Sequence, residues 1–143
     1  MRIRPAQQGD ATQFAKLNQQ FNGCSGPFGD LAGASERVLV AESGGQLVGF
    51  ACVQINQSVC SESPRAELTE LFVDTAMRRR GVGAALVSEA ERFAWNSGCS
   101  ELVLRTKADN REARALFTGC GFRVAEHVVF RKRESGCACE PAI

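Results

Sequence analysis

A chain of 143 residues with 44% hydrophobic content suits one domain with room for a real core. Its 17 basic and 16 acidic residues leave a net charge of +1, so nothing global argues for nucleic acid or a membrane surface, and any anion site must be local. No apolar run approaches the ~20 residues that span a bilayer, and polar residues rather than an apolar signal core follow Met1-Arg2-Ile3-Arg4-Pro5, so a cytoplasmic protein is expected.

Ile3 to Ala6 reads as a short first strand. Asp10 is a plausible N-cap for a helix that carries Phe14, Leu17 and Phe21 on one face. Asn22 to Ala34, with Gly23, Gly26, Pro27, Gly29 and Gly33, reads as a mobile loop. Arg37 to Ala41 and Leu47 to Gln54 read as strands joined by the hairpin turn Ser43-Gly44-Gly45-Gln46. A second loop, Asn56 to Arg65, leads to a strand over Ala66 to Val73. A helix from about Arg79 to Asn96 has Val82, Leu86, Ala90, Phe93 and Ala94 on one stripe, with Val87 beside it, and stops at Gly98. Glu101 to Thr106 reads as a strand, Asn110 to Thr118 as a helix, and Gly121 to Val124 and His127 to Arg131 as two final strands. This order predicts a mixed sheet with helices on its faces and a βαβ unit at its centre. Residues 1–133 are expected to form the domain, and 134–143 a fraying tail.

The sequence has seven cysteines, an odd number, and no CxxC pair. Cys24, Cys52, Cys60, Cys99 and Cys120 are scattered, while Cys137 and Cys139 form CxC in the tail. A reducing compartment with mostly buried thiols accounts for them. With His127 the only histidine, no metal site is expected.

The run Arg78-Arg79-Arg80-Gly81-Val82-Gly83-Ala84 lies between a strand and a helix. Its two glycines let the backbone approach a ligand closely. The first helical amides lack intrahelical partners, and the helix dipole adds positive character there. With three arginines upstream this makes a socket for a pyrophosphate-like anion, although the P-loop pattern is absent. Read without that role, RRRGxG is a basic helix start.

Leu68-Thr69-Glu70-Leu71-Phe72-Val73, leading into Arg78-x-x-Gly81-x-Gly83, resembles the acetyl-CoA pyrophosphate loop of the GCN5-related N-acetyltransferase superfamily. The spacing Asn110, Ala113, Leu116, Phe117, Gly121, Phe122 is similar to that family's second signature, and the element order agrees from about Arg2 to Arg133. The resemblance implies a single-domain α/β fold with a splayed mixed sheet of about seven strands, and acetyl-CoA lying in a V between the fourth and fifth. Leu71, Phe72 and Val73 would face its pantetheine. Arg78, Arg79, Arg80, Gly81, Val82, Gly83 and Ala84 would take the pyrophosphate. Asn110 would hold the pantetheine arm, cap its own helix, or both, and Phe117 would line the cofactor. Gly121 and Phe122 read as structural.

Acetyl transfer to an amine needs a base, an oxyanion donor and a departing thiolate. Glu70, nearest the expected thioester, is the favoured base and Glu67 the second candidate. Three residues apart, they would face opposite sides of a regular strand unless a bulge intervenes. The backbone amide of Phe72, or of a neighbour in Leu71 to Val73, is the expected oxyanion donor. Phe117 departs from the family's usual tyrosine, and this chain has no tyrosine at all. A thiol of pKa near ~8.5 leaves without much help, so solvent can supply the proton; Cys120 is a speculative substitute. Direct transfer through a ternary complex is expected.

Asp30, Glu36, Glu62 and Glu126 are acids within the segments that should build the acceptor site, and are equally readable as surface charge. VAEHVVFRK (Val124 to Lys132) is vaguely similar to aminoglycoside-modifying members of the superfamily. A small-molecule amine, aminoglycoside-like or polyamine-like, is the leading acceptor, ahead of a protein N-terminus or lysine. An acyl-CoA-binding module without turnover is the competing class. A nucleic-acid module using Arg78–Arg80 and Arg131-Lys132-Arg133 fits the near-neutral charge poorly. Expected partners are therefore a small amine, with no nucleic acid and no membrane, and a homodimer is left open.

Overall fold

The computed structural model describes residues 1–24, 26, 29–33 and 36–136. Five strands form one sheet in the order β1 (Arg2–Pro5), β2 (Glu36–Ser43), β3 (Gln46–Asn56), β4 (Arg65–Val73) and β5 (Leu102–Leu104). Neighbours are antiparallel from β1 to β4, and β5 runs parallel to β4. The parallel pair needs a crossover, and the helix α2 (Val82–Asn96) supplies it. Two further helices, α1 (Ala11–Asn22) and α3 (Arg111–Gly119), complete the mixed α/β fold anticipated from the pattern.

The core has two layers, because β2 and β3 are buried on both faces. Phe14 and Leu17 of α1 cover Val38, Val40, Phe50 and Phe72. On the opposite face, Val82, Leu86, Val87, Ala90 and Ala94 of α2 cover Leu39, Ala41, Ala51, Val53 and Leu68. A strand covered on both sides reads as a continuous apolar run rather than an alternating one, as Leu47 to Val53 does. The hairpin between β2 and β3 turns on Gly44 and Gly45, both at positive φ as a two-residue turn of this hand requires. Arg4 and Asp10 tie β1 to the entrance of α1 through two hydrogen bonds of 2.8 and 2.9 Å.

Several expectations are corrected. Asp10 holds the position before α1, but its carboxylate makes no cap on that helix; it accepts from Arg4 and from the amide of Gln7 instead. The helix expected from Arg79 begins at Val82, because Arg79 and Gly81 both have positive φ. The strand expected over Glu101 to Thr106 contracts to Leu102–Leu104. Gly121 to Val124 and His127 to Arg131 form no strands, so the sheet has five strands among the described residues, not seven. Among the described residues no strand pairs with either segment. Of the described cysteines, all free, Cys52 and Cys99 are buried, Cys24 and Cys120 half-buried and Cys60 exposed. The loop expectation at Pro27, part of the tail, and Cys137 and Cys139 lie outside the described residues. No helix of the described residues is long and apolar enough to cross a membrane.

Candidate active site

β4 and β5 pair only at Ala66 with Leu102, Glu67 with Val103 and Leu68 with Leu104. β4 then continues to Val73 without β5 beside it. Beyond Leu68 its outer edge therefore faces a gap, and a cavity of about 460 Å3 occupies that region.

The walls of the cavity come from four elements. β4 supplies Leu71, Phe72 and Val73, and the segment that follows supplies Arg78, Arg79, Gly81, Val82, Gly83 and Ala84. Asn110 and Phe117 of the α3 region close another side. Arg80 is exposed and does not line it. Sequence reasoning did not assign Gln20, Phe21, Met77 or Glu112 to the cleft, though they line it too. Phe21 was legible only as part of an apolar helix face, which does not distinguish a core contact from a cleft wall.

The N-terminus of α2 lies on the wall of the cavity. Its first intrahelical bond runs from the amide of Ala85 to the carbonyl of Gly81 at 3.0 Å. The amides of Val82, Gly83 and Ala84 precede it and carry the positive end of the helix dipole. Gly81 sits at φ +81, where a side chain is strained. Gly83 is small for another reason: a Cβ there would lie 3.2 Å from Leu116 Cδ2. Arg78 is pinned at the cleft, its Nε donating to the carbonyl of Val73 at 3.0 Å and its guanidinium 5.7 Å from the Phe72 ring centre.

Asn110 caps α3, its side-chain oxygen accepting from the amide of Ala113 at 3.1 Å. Phe117 is buried and packs edge-on against Phe122 with ring centres 5.8 Å apart.

The ladder between β3 and β4 decides which amides face the gap. Cys52 lies opposite Glu70 and Val53 opposite Leu68, which leaves Thr69 as a bulge. Past the bulge, the amide of Asp74 donates to Val48 on β3 at 2.8 Å. The two-residue alternation then turns the amide of Phe72 towards β3, and those of Leu71 and Val73 towards the gap. Phe72 is thus misplaced as an oxyanion donor, and its neighbours on either side have the required direction.

Glu67 pairs with Gln54, and its carboxylate takes Arg105 at 3.1 Å. Glu70 accepts from the Thr69 hydroxyl. Neither glutamate lines the cavity itself. Glu70 instead meets Glu36 and Cys52, one donor atom of each lying within 4.8 Å of the others. Burial, and then the neighbouring Glu70 charge, push the Glu36 carboxyl above its ordinary value. The Cys52 thiol is driven well up by burial first and by the two carboxylates next. Cys52 therefore stays a neutral thiol between them, unsuited to nucleophilic work.

The profile of the acetyltransferase (GNAT) family matches residues 6–122. The chain belongs to that family. The chain is accordingly an acyltransferase of the GNAT family. This GNAT chain is 32% identical over 133 residues to YhfO of Bacillus subtilis (strain 168), called an uncharacterized N-acetyltransferase, covering 85% of this chain and 89% of that protein. It is 33% identical over 98 residues to an aminoglycoside N(6')-acetyltransferase type 1 of Salmonella typhimurium, covering 66% and 68%. Among solved structures, the aminoglycoside N-acetyltransferase AAC(6')-Iy in complex with CoA superposes with a TM-score of 0.79 at 26% identity, over 93% of this chain and 99% of that one.

Proposed function

We propose that this GNAT chain transfers the acetyl group of acetyl-CoA directly to a primary amine of a small molecule. The observation that carries the proposal is the gap left where β5 ends beside Leu68, with the α2 N-terminus on its wall. The pyrophosphate of acetyl-CoA binds the amides of Val82, Gly83 and Ala84 with help from Arg78 and Arg79. Its pantetheine amides pair with the open edge of β4, as a further strand would. Asn110 borders the arm while capping α3.

In the reaction, Glu70 takes a proton from the acceptor ammonium, directly or through a water. The freed nitrogen attacks the thioester carbon, and the carbonyl oxygen becomes an oxyanion held by the amide of Leu71 or Val73. The C–S bond breaks as the nitrogen gives up its second proton to solvent, and the CoA thiolate takes a proton from solvent in turn, since Phe117 has none to give. Glu67, already paired with Arg105, is the weaker candidate for the base. No metal enters this scheme, and the protein works in the cytoplasm.

The relatives that act on aminoglycosides support a cationic small-molecule acceptor over a protein one. The paired carboxylates Glu36 and Glu70 favour a cation in the same way. Isothermal titration of the reduced protein with acetyl-CoA, repeated on Gly83→Asp, tests the cofactor half. Micromolar binding that the variant loses is expected, because the new side chain would crowd Leu116 and set a negative charge at the helix terminus. Absence of binding by the folded wild-type protein would overturn the reading. Release of free CoA with aminoglycosides or polyamines, and none with peptides, tests the acceptor.

A further inference from the structure

Thr69 is the residue left over where β3 and β4 shift register, so it has no partner across the ladder. An extra residue of this kind re-aims the side chains around it. Here the half-buried Thr69 side chain meets two acceptors. Its hydroxyl donates to Oε2 of Glu70 and lies 3.3 Å from the main-chain oxygen of Cys52 on β3. A hydroxyl carries one proton, and of two acceptors the charged one forms the stronger bond. The Cys52 carbonyl is a second acceptor for the same proton. As main chain of β3, it ties the hydroxyl to a rigid neighbour.

Without that bond Glu70 would have cause to turn away. One donor atom of each of Glu36, Cys52 and Glu70 lies within 4.8 Å of the others, so two carboxylates meet beside one thiol. Like charges this close repel. Glu67 is held by Arg105, whereas Glu70 has no ion pair among the described residues. A hydroxyl suits a base better than a cation does. An arginine favours the ionised carboxylate and so opposes proton uptake. A neutral hydroxyl serves both states, because Oε2 remains an acceptor when the proton sits on Oε1.

We propose that Thr69 is a positioning residue for acetyl transfer: its hydroxyl fixes Oε2 of Glu70 against the repulsion of Glu36 and leaves Oε1 free for the proton of the acceptor. The role rests on the reading of Glu70 as the base, and it supplies the reason that this carboxylate keeps one orientation before and after it is protonated. Thr69 does not line the cleft and acts through Glu70 alone.

Two substitutions separate the hydroxyl from the shape of the side chain. Thr69→Val keeps the branch and removes the donor, whereas Thr69→Ser keeps the donor and removes the branch. Turnover of acetyl-CoA is read with kanamycin as the probe amine, or as hydrolysis by water if that amine is not consumed. Thr69→Val should lower kcat about tenfold or more, the scale of one hydrogen bond to a charged group, with KM for acetyl-CoA unchanged. Thr69→Ser should stay within a few-fold of the wild type. The reverse order, valine tolerated and serine impaired, overturns the inference, because the bulge would then need only a β-branched shape. Circular dichroism checks that each variant is folded, and Thr69→Ala, equally without a donor, stands in for valine if it is not.

The same comparison on Glu70→Gln tests the route of the effect. There Thr69→Val should cost nothing further, since no base remains to be positioned. An additive loss overturns the inference, because Thr69 would then act elsewhere. A Glu70→Gln variant as active as the wild type overturns the reading of Glu70 as the base, and the positioning role with it.

Discussion

Glu67 and Glu70 lie on the same face of β4 although they are three residues apart. They stand opposite Gln54 and Cys52, which are two apart on β3 and so share a face, and Thr69 is the residue left over. That face is the one covered by α1, on the other side of the sheet from α2. The two carboxylates differ in their partners rather than in their orientation, Glu67 being held by Arg105 and Glu70 lying beside Glu36.

This difference separates their roles. Glu70→Gln is expected to lower kcat about 10²-fold or more while leaving acetyl-CoA affinity unchanged, the loss of a general base. Glu67→Gln removes only an exposed ion pair and should change kcat by no more than a few-fold. Steady-state kinetics on both variants with one active amine decides between them, and a larger loss in Glu67→Gln would reverse the assignment.

Glu36 predicts a pH dependence of stability. Its carboxyl lies above the ordinary 4.5 in the folded protein, so folding binds a proton more tightly than the unfolded chain does. The ionised form therefore costs stability. That cost is absent below about the unfolded value and grows as the pH rises through the folded one. Glu36→Gln should then gain in Tm over the wild type at pH 7 and show little gain near pH 4. Thermal melts at the two pH values measure it, and an equal difference at both would disprove the burial argument.

Asp10 works in the opposite sense. The Arg4 guanidinium holds its carboxyl below the ordinary 3.8, with the Gln7 amide adding to the effect. Its stabilisation is present above that value and is lost as the pH falls through the lower folded one. Asp10→Asn should cost about 2 kcal/mol at pH 7, the scale of hydrogen bonds to a charged group. The deficit should narrow in acid, as urea titrations at pH 7 and pH 3 would show.

Gly81→Ala places a Cβ at φ +81 at the start of α2. About 1–2 kcal/mol of destabilisation is expected from the left-handed backbone alone, since no atom lies within 4 Å of that Cβ. Gly83→Ala meets Leu116 instead, so its cost should fall when combined with Leu116→Ala. A double-mutant cycle that is additive would mean the predicted crowding is not felt.

Phe21 bounds the cleft from α1, its ring 5.4 Å from that of Phe72 and 5.9 Å from that of Phe50. Phe21→Ala should therefore admit longer acyl groups, raising the ratio of butyryl- to acetyl-CoA turnover about tenfold. An unchanged ratio would place the acyl group elsewhere.

Local chemistry made much of this protein readable in advance. The glycine pair of the β2–β3 hairpin, the stripe of α2 and the cap of Asn110 depend on residues close in sequence, where backbone sterics and period decide the outcome. The start of α2 belongs with them, because one short run supplies both its glycines and its arginines. Family membership was legible for the same reason, through two motifs that are each short.

What the tertiary structure decided were relationships across the sheet. The shared face of Glu67 and Glu70 follows from one unpaired residue at Thr69, the direction of the Phe72 amide from its place opposite Phe50, and the meeting of Glu36 with Cys52 from the register of β2 on β3. A one-residue shift of register reverses every face, and the linear pattern does not record where it falls. The arm after Phe122 differs again. Its residues have the composition of strands, but a strand forms only where it pairs with an edge, and among the described residues no strand is paired with it.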